Sequence, residues 1–443
     1  MAVSQLELVD GDVIPGPPEE FVRTAEGLER TVTLRQRSHT TALGPVPKSG
    51  EAFAHWWKGT LKEPKRPRQP SGTASLNVLD LFSSVGGLSL GFSEAAHALG
   101  FRARTLLAVD VDADALQVFN TNHRPRGVLH RSVADLVHGQ PVGHGIRARW
   151  SSLPRPAHVE LEYLVDRVDV ILAGPPCQGH SSLNNRTRGD DPRNRLYLAV
   201  PAAAIATNAR AVVIENVPNV VHDKNGVVQT TGHLLREAGY HVTSAVLAAD
   251  KLGWAQTRRR YFLVATRDGF PLELPLLAQA LERKALPLSW AIGDLNRRKM
   301  RSGDVMQSVP DMSEENRLRI EHLFEKDCYD LPDYIRPDCH KDGNHTYGAV
   351  YGRMYWDKPA GTITGGFMTP GRGRFVHPLQ PRVLTPREAA RVQGFPDWFT
   401  FQPPGLDQPK RSMLAKWIGD AVPSILGYVA GLSALSGLKE FAE

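Results

Sequence analysis

The stretch VLDLFSSVGGLSLG, at residues 78–91, decides the fold. An apolar run with strand character leads into a turn that contains Gly86 and Gly87, and the turn leads into a stretch with helical character. Glycines let the backbone approach a ligand closely, and the N-terminus of the following helix favours an anionic group. A tight turn that binds no ligand can have the same sequence. Other segments must therefore distinguish a ligand-binding turn from a purely structural one.

The segments that follow repeat the alternation of strand and helix. Short apolar runs alternate with helical stretches at residues 77–82, 89–99, 105–109, 113–120, 168–173, 210–215 and 261–265. Such alternation predicts an α/β fold with a mostly parallel sheet covered by helices. In LLAVDVD, at residues 106–112, Asp110 ends a strand where it could accept hydrogen bonds from ribose hydroxyls. A surface carboxylate with no ligand is the alternative for Asp110. Taken together, Asp110 and the glycine turn suggest a nucleoside-containing cofactor.

Changes in composition and in hydrophobic pattern divide the 443 residues into four parts. Residues 1–75 are polar and proline-punctuated, end in the basic KGTLKEPKRPR, and predict an extension with a linker. For Trp56 and Trp57 we favour a small packed helix or a solvated arm over stacking on nucleic acid. Residues 76–269 carry the alternation, residues 270–350 predict a smaller irregular domain, and residues 351–443 return to complete the first domain.

Composition limits the partners and the compartment. A net charge of +6 favours an anionic partner. Three cysteines are too few for a disulfide framework and fit a reducing compartment. The N-terminus has no signal pattern, and the most apolar tail, residues 424–438, is too short to span a bilayer. We therefore expect a cytoplasmic protein with no membrane partner.

The stretch DVILAGPPCQGHS, at residues 169–181, contains the candidate nucleophile Cys177. A buried strand delivers this cysteine into a loop stiffened by two prolines, at the carboxyl end of the sheet where α/β folds place their sites. A thiolate there would be a strong nucleophile. A buried structural cysteine is the alternative, but a Pro-Pro-Cys-Gln-Gly loop is poor core material.

Two further strands carry charged side chains at their ends. AVVIENV, at residues 211–217, places Glu215 where a raised pKa would let it protonate or hydrogen-bond a ring nitrogen, although a helix cap fits equally well. In QTRRRYFLVA, at residues 256–265, one arginine could stabilise charge in a reacting base and another could bind phosphate. The alternative is a solvated face, but the run leads directly into an apolar strand.

These motifs, in this order, closely resemble those of the prokaryotic type of the cytosine-C5 DNA methyltransferase family. Members of this family are S-adenosylmethionine-dependent. The resemblance runs from about residue 77 to about residue 430 and continues through KPAGTIT (358–364), LTPREAARVQGFP (384–396) and IGDAVP (418–423). It implies a Rossmann-like S-adenosylmethionine-dependent methyltransferase domain and a target-recognition domain within residues 270–350. The implied activity is that of a DNA (cytosine-5-)-methyltransferase acting on duplex DNA.

The resemblance also implies roles for single residues. Cys177 would add to carbon 6 of a flipped-out cytosine, Glu215 would contact ring nitrogen 3, and Arg258 and Arg260 would steady the base. The cofactor would be held by Phe82, Gly86, Gly87, Asp110, Asp135, Pro175, Leu196 and Asp420. DNA would be contacted by Gln178, Ser181, Arg193, Arg297, Arg298 and Thr364. The loop at residues 182–195 would be a lid.

Two positions depart from the family pattern, and several questions stay open. Ser84 and Asp420 stand where the family usually has glycine and asparagine, and Asp420 would put a carboxylate near that of the cofactor unless it points away or finds a cation. We expect no metal, because His322, Cys328, Cys339, His340 and His345 match no common ligand spacing. Duplex DNA is the expected partner of a monomer, with cognate restriction or defence proteins as candidates. An RNA-directed relative and a non-catalytic DNA-binding module are the alternatives.

Overall fold

The computed structural model describes residues 18–44, 51–67, 73–176, 196–295, 303–338, 341, 349–405 and 407–442. The strands are β1 (Glu19–Arg23), β2 (Leu28–Leu34), β3 (Arg37–Ala42), β4 (Ser75–Leu81), β5 (Arg102–Asp110), β6 (Gly127–His130), β7 (Val137–His138), β8 (Pro141–Val142), β9 (Arg149–Trp150), β10 (Arg155–Pro156), β11 (Val170–Ala173), β12 (Ala211–Asn216), β13 (His241–Ala248) and β14 (Arg259–Thr266). The helices are α1 (Ala52–Lys62), α2 (Gly87–Ala98), α3 (Ala113–His123), α4 (Val159–Glu162), α5 (Ala199–Thr207), α6 (Val227–Glu237), α7 (Leu274–Ala280), α8 (Leu288–Ile292), α9 (Glu314–Glu325), α10 (Pro386–Gln393), α11 (Arg411–Asp420), α12 (Ser424–Ser436) and α13 (Lys439–Ala442).

A seven-stranded sheet in the order β13-β14-β12-β11-β4-β5-β6 forms the centre of the molecule. The pairs from β12 to β6 are parallel, and β14 runs antiparallel to both of its neighbours. The predicted mostly parallel α/β sheet is therefore confirmed. Because parallel strands end at the same edge, the residues that follow β4, β5, β11 and β12 lie together there.

Apolar layers cover both faces of this sheet. The most extensive contact between two helices joins α2 to α12. A Cβ atom on Gly91 would lie only 2.2 Å from the carbonyl oxygen of Ser424, so this close approach requires glycine. The helical segment Arg411–Ser436 is long and apolar enough to cross a membrane, with a mean hydropathy of 1.4. Since 94% of its most apolar window is buried inside the fold, it is a core element of the part of the chain described.

The N-terminal extension is packed against the main core. Strands β1, β2 and β3 form an antiparallel sheet, and β2 alternates buried and half-buried residues. Helix α1 contains Trp56 and Trp57, and Trp57 is 2% exposed. The Trp57 ring makes edge-to-face contacts with Trp254 and Tyr428, at centroid distances of 5.3 and 5.8 Å. A packed helix, one of the two arrangements favoured from the sequence, is therefore present here.

A buried ion pair also ties the extension to α2. The Nη2 atom of Arg30, on β2, donates to Glu94 on α2 at 2.6 Å, and Arg30 is fully buried. Glu19 lies 3.9 Å from the same guanidinium and accepts a hydrogen bond from the Tyr428 hydroxyl at 2.8 Å. Breaking one partner would leave an uncompensated buried charge, so these contacts fix the sheet on the helix.

The segment between residues 270 and 350 contributes to several clusters. Buried residues of α7 join the core beside β13, and those of α8 join a cluster with α10 and α11. Helix α9 packs in a separate small cluster through Ile320 and Leu323, with Val350 and Val376. Within the described residues, no group of three or more His, Cys, Asp or Glu side chains could hold a metal ion.

Candidate active site

Glu215 lies at the carboxyl end of β12 and is 8% exposed. Burial raises the pKa of its carboxyl group, while the charges of Arg260 and then Arg258 oppose that rise. The Arg260 Nε lies 2.9 Å from Glu215 Oε1. A carboxyl group in this setting keeps its proton to a higher pH than a free glutamate, so it can donate a hydrogen bond.

The segment that leads into the cysteine loop starts directly beside this carboxyl group. An ideal Cβ atom on Gly174 would lie 3.6 Å from Glu215 Oε2 and 3.9 Å from the carbonyl oxygen of Phe82. Asn216 Nδ2 donates to the carbonyl of Pro175 at 3.2 Å, and Asn216 is 1% exposed. The two strand ends are thus joined by a buried hydrogen bond immediately before Pro176.

The two predicted arginines lie in different settings. Arg260 is half-buried and faces Glu215. Arg258 is 1% exposed, and its Nη1 donates to the carbonyls of Ile363 and Gly419 at 2.6 and 2.8 Å. Its Nη2 donates to the carbonyl of Asp420 at 3.2 Å. Arg258 therefore holds two late segments of the chain against the start of β14.

Thr364 and its neighbours are brought to the same region by these contacts. Gln256 Oε1 accepts a hydrogen bond from the Ile363 amide at 3.1 Å, while its Nε2 donates to Gln393 at 3.0 Å. A Cβ atom on Gly419 would lie 2.3 Å from the carbonyl carbon of Thr364, so only glycine fits there. The half-buried Thr364 thus lies against the end of α11.

The glycine-rich turn after β4 adopts an unusual backbone. Phe82 and Ser84 have φ values of 55° and 47°, and Gly86 has 92°. Ser84 therefore takes the left-handed conformation that favours glycine, which explains the residue usual in the family at this position. The Ser84 amide donates to Asp110 Oδ2 at 2.8 Å, and Asp110 Oδ1 accepts the Asp112 amide at 2.9 Å.

The glycines of this turn are also required by packing. A Cβ atom on Gly86 would lie 2.1 Å from His123 Nε2, and one on Gly87 would lie 2.9 Å from the carbonyl oxygen of Val422. Phe82 is half-buried at the strand end. The turn is therefore pressed between α3 and the start of α12, with Phe82 partly exposed above it.

Asp80, on β4 just before the turn, was not singled out from the sequence for any role. It is 3% exposed and accepts a hydrogen bond from the Ser89 hydroxyl. Burial raises its pKa to about 7, and the nearby charge of Asp110 adds to the rise. No sequence pattern reveals this, because the burial depends on how α2 covers the strand.

Asp420 occupies one of the two positions that depart from the family. Its side chain is 60% exposed, and Lys416 Nζ lies 3.8 Å from its Oδ2. The same ammonium group lies 3.7 Å from Asp112 Oδ2. Asp420 thus has the neighbouring cation that the sequence analysis required of it. Lys416 and Asp420 are four residues apart on one helix, and this spacing could have indicated their pairing.

The remaining cofactor candidates lie around this edge. Asp135 is exposed in a short 3-10 turn, Val133–Leu136, after the neighbouring strand β6. Leu196 is half-buried beside Tyr197, whose pKa is raised by burial and by the nearness of Tyr261 and Glu215. The predicted Cys177, Gln178, Ser181, Arg193, Arg297 and Arg298 lie outside the described residues.

A mostly parallel sheet with a glycine turn after its first strand and carboxylates at neighbouring strand ends defines a Rossmann-like α/β protein. The model of the C-5 cytosine-specific DNA methylase family matches residues 76–430. Type II methyltransferase M1.BsuMI of Bacillus subtilis (strain 168) is 40% identical over 428 residues, which cover 94% of this chain and 95% of that protein. The chain belongs to the C-5 cytosine-specific DNA methylase family and is a DNA (cytosine-5-)-methyltransferase.

Other comparisons agree with this assignment. Type II methylase M.HgiDII of Herpetosiphon aurantiacus is 29% identical over 377 residues, covering 82% of this chain and 97% of that protein. Among solved structures, a prophage-encoded protein of Escherichia coli, assigned there as a DNA modification methyltransferase, is similar in fold. It has a TM-score of 0.52 and 23% identity, covering 81% of this chain and 98% of the other.

Proposed function

We propose that the chain transfers a methyl group from S-adenosylmethionine to carbon 5 of a cytosine flipped out of duplex DNA, through a covalent bond between Cys177 and carbon 6. The observation that carries this is the position of Glu215 beside the segment leading to Cys177, where a Cβ atom on Gly174 would lie 3.6 Å from Glu215 Oε2 and Asn216 Nδ2 donates to the carbonyl of Pro175. A nucleophile two residues beyond Pro175 and a carboxyl group whose pKa is raised by burial can then act on one ring.

Two side chains, those of Glu215 and Cys177, carry out the chemical steps. Glu215, whose pKa burial raises, donates its proton to ring nitrogen 3 as the Cys177 thiolate forms its bond to carbon 6. Electron density gained at carbon 5 makes that atom nucleophilic, and the cofactor supplies an electrophilic methyl group. Methyl transfer leaves S-adenosylhomocysteine as the second product. Water then accepts the carbon 5 proton, the electron pair of that bond re-forms the double bond between carbons 5 and 6, and the Cys177 thiolate leaves. Ring nitrogen 3 returns its proton to Glu215. Arg260 steadies Glu215 throughout, because it lies 2.9 Å away.

The described residues fit an adenosine-containing cofactor. Phe82 and Leu196 each offer a partly exposed apolar side chain, whereas Pro175 is buried. The half-buried Asp110 is fixed by two backbone amides, and each of its oxygens keeps a lone pair for a ribose hydroxyl. Gly86, Gly87, Asp135 and Asp420 complete the proposed cofactor set around the same strand ends.

The biological setting is proposed from the relatives. M1.BsuMI and M.HgiDII carry Type II names, which supports a role in restriction-modification or phage defence in the cytoplasm. Thr364 is proposed as a DNA contact beside the end of α11. Gln178, Ser181, Arg193, Arg297 and Arg298 are proposed contacts outside the described residues, and a monomer with no metal is the proposed working form.

Covalent trapping tests the mechanism. A long duplex containing 5-fluorocytosine has no carbon 5 proton to lose, so the bond between Cys177 and carbon 6 should persist after denaturation. We expect a cofactor-dependent, denaturation-resistant complex with the wild type and with Cys328→Ser, which changes a half-buried free cysteine elsewhere. No complex should form with Cys177→Ser. An equal yield of complex with that variant would refute the covalent step.

A further inference from the structure

A groove of about 930 Å³ lies between the N-terminal extension and the first helices of the catalytic domain. Trp56 and Arg66 line one wall, and the later turns of α2, the start of β5 and the end of α3 line the other. None of the described residues assigned to the candidate active site is part of its lining. The groove is therefore a separate feature of the surface.

Two arginines of its lining, on β5, lie at the opposite end of that strand from the active site. Arg102 and Arg104 begin β5, whereas Asp110 ends it. At a rise of about 3.3 Å per residue, these arginines start roughly 20–26 Å from Asp110 along the strand. These arginines therefore lie outside the set of residues proposed to act on the flipped base.

The lining carries a concentrated positive charge. Four exposed arginines line the groove, Arg66, Arg102, Arg104 and Arg124. Within the described part of the chain, none of them forms an ion pair. Two carboxylates also line the groove, but Glu94 is bonded to Arg30 at 2.6 Å, which leaves Glu63 as the remaining negative charge.

The arginines are close enough to influence one another. Burial, and then the neighbouring charges of Arg124 and Arg102, lower the pKa of Arg66. Arg102 and Arg104 are two residues apart on one strand, so their side chains point to the same face. Like charges gathered without counter-charges repel each other, and a polyanion that binds there would relieve the repulsion.

We propose that this groove is a second, sequence-independent DNA-binding surface, which holds the phosphates of a duplex segment outside the active site. The guanidinium groups come from three separate segments and remain exposed, which suits a row of phosphates better than one enclosed anion. DNA is the anionic polymer on which the enzyme acts. A chain that holds a second segment can pass between distant parts of a long DNA molecule without release.

The test uses a labelled duplex of about 20 base pairs made of A·T pairs alone, which contains no cytosine. Binding to the wild type, to Arg102→Gln/Arg104→Gln/Arg124→Gln and to the matched control Arg147→Gln/Arg149→Gln is measured across salt concentrations. Arg147 and Arg149 are exposed and do not line the groove. We expect the triple variant to lose roughly 2–3 units of the salt slope and at least about tenfold in affinity at low salt. The control should match the wild type.

Stoichiometry provides a second measurement. The wild type should bind two short duplexes per chain and the triple variant one. The single variant Arg104→Gln should reduce the slope by about 0.9, which keeps the test valid if the triple variant folds poorly. Equal slopes and stoichiometries, or an effect confined to single strands or mononucleotides, would overturn the proposal. Because no methyl transfer is read out, failure of the proposed catalytic mechanism would leave this result interpretable.

Discussion

The Nε atom of Arg260 lies 2.9 Å from Oε1 of Glu215, at the ends of two paired strands. The pair combines opposite tendencies, because burial raises the pKa of Glu215 while the guanidinium lowers it. The net direction is upward, so the carboxyl group retains its proton where an exposed glutamate would lose it. This balance is what a proton donor to a pyrimidine nitrogen requires.

Glu215→Gln should lower the rate of methyl transfer about 10²–10⁴-fold with DNA binding retained, because the amide cannot transfer a proton. In the wild type, the rate should fall as pH rises through the raised pKa of Glu215, and the variant should lose this alkaline limb. Single-turnover rates across pH measure both effects. The exposed Glu237→Gln serves as the control. An alkaline limb that persists in Glu215→Gln would assign it to another group.

Asp80→Asn should stabilise the protein at alkaline pH. The pKa of Asp80 is about 7 in the fold, above its unfolded value, so the folded state binds the extra proton. The stabilisation that protonated Asp80 gives to the folded state is complete below the pKa of the unfolded chain. It is lost as pH rises through about 7. Denaturant unfolding at pH 5 and pH 8 should show the variant gaining on the wild type by roughly 2–4 kcal/mol at the higher pH. A difference that does not change with pH would contradict the assignment.

Ser84→Gly should leave stability equal to that of the wild type or raise it by up to about 1 kcal/mol. Ser84 has a φ of 47°, and glycine adopts this conformation without the steric cost. The adjacent Ser83→Gly lacks this benefit and should destabilise by about 0.5–1 kcal/mol. Thermal unfolding of the two variants distinguishes them. A Ser84→Gly variant less stable than Ser83→Gly would show that the serine side chain is required.

Lys58→Met should destabilise the enzyme by about 1–3 kcal/mol. Lys58 Nζ donates to the carbonyl of Trp290 and to Asp294 Oδ1, both at 2.5 Å, and so fixes α1 to the end of α8. The exposed Lys62→Met, one turn further along the same helix, should change little. Denaturant unfolding compares the two. Equal stability of both variants would mean that α1 is held by its apolar contacts alone.

Much of the fold could be predicted from local patterns. The strands expected at residues 77–82, 105–109 and 210–215 are present as β4, β5 and β12, because short apolar runs between turns encode strands directly. Helix α10 begins after Thr385, which forms a capping box with Glu388, a local signal that the sequence carries. The pairing of β14 antiparallel to β12 depends on contacts distant in sequence, so local patterns do not encode it.

The roles assigned to the site residues stay predictions, and their contacts could not be foreseen from the sequence. The ordered motifs pointed to Glu215 and Arg258, but their spacing did not show that Arg258 binds backbone carbonyls of two late segments. The arginine groove was not predictable either, because Arg66, Arg102 and Arg124 are far apart in sequence and only the tertiary fold brings them to one groove. The domain boundaries proposed from the sequence stay predictions.

The most direct test of the central claim is whole-genome cytosine-methylation sequencing of a methylation-free bacterial host that expresses this chain, beside the same host with Cys177→Ser. We predict 5-methylcytosine in one short sequence motif with the wild type and none with the variant. An unmethylated genome with soluble wild-type protein, or methylation that persists with Cys177→Ser, would contradict a cysteine-dependent DNA methyltransferase. Transfer RNA from the same cells would then be sequenced as the alternative substrate.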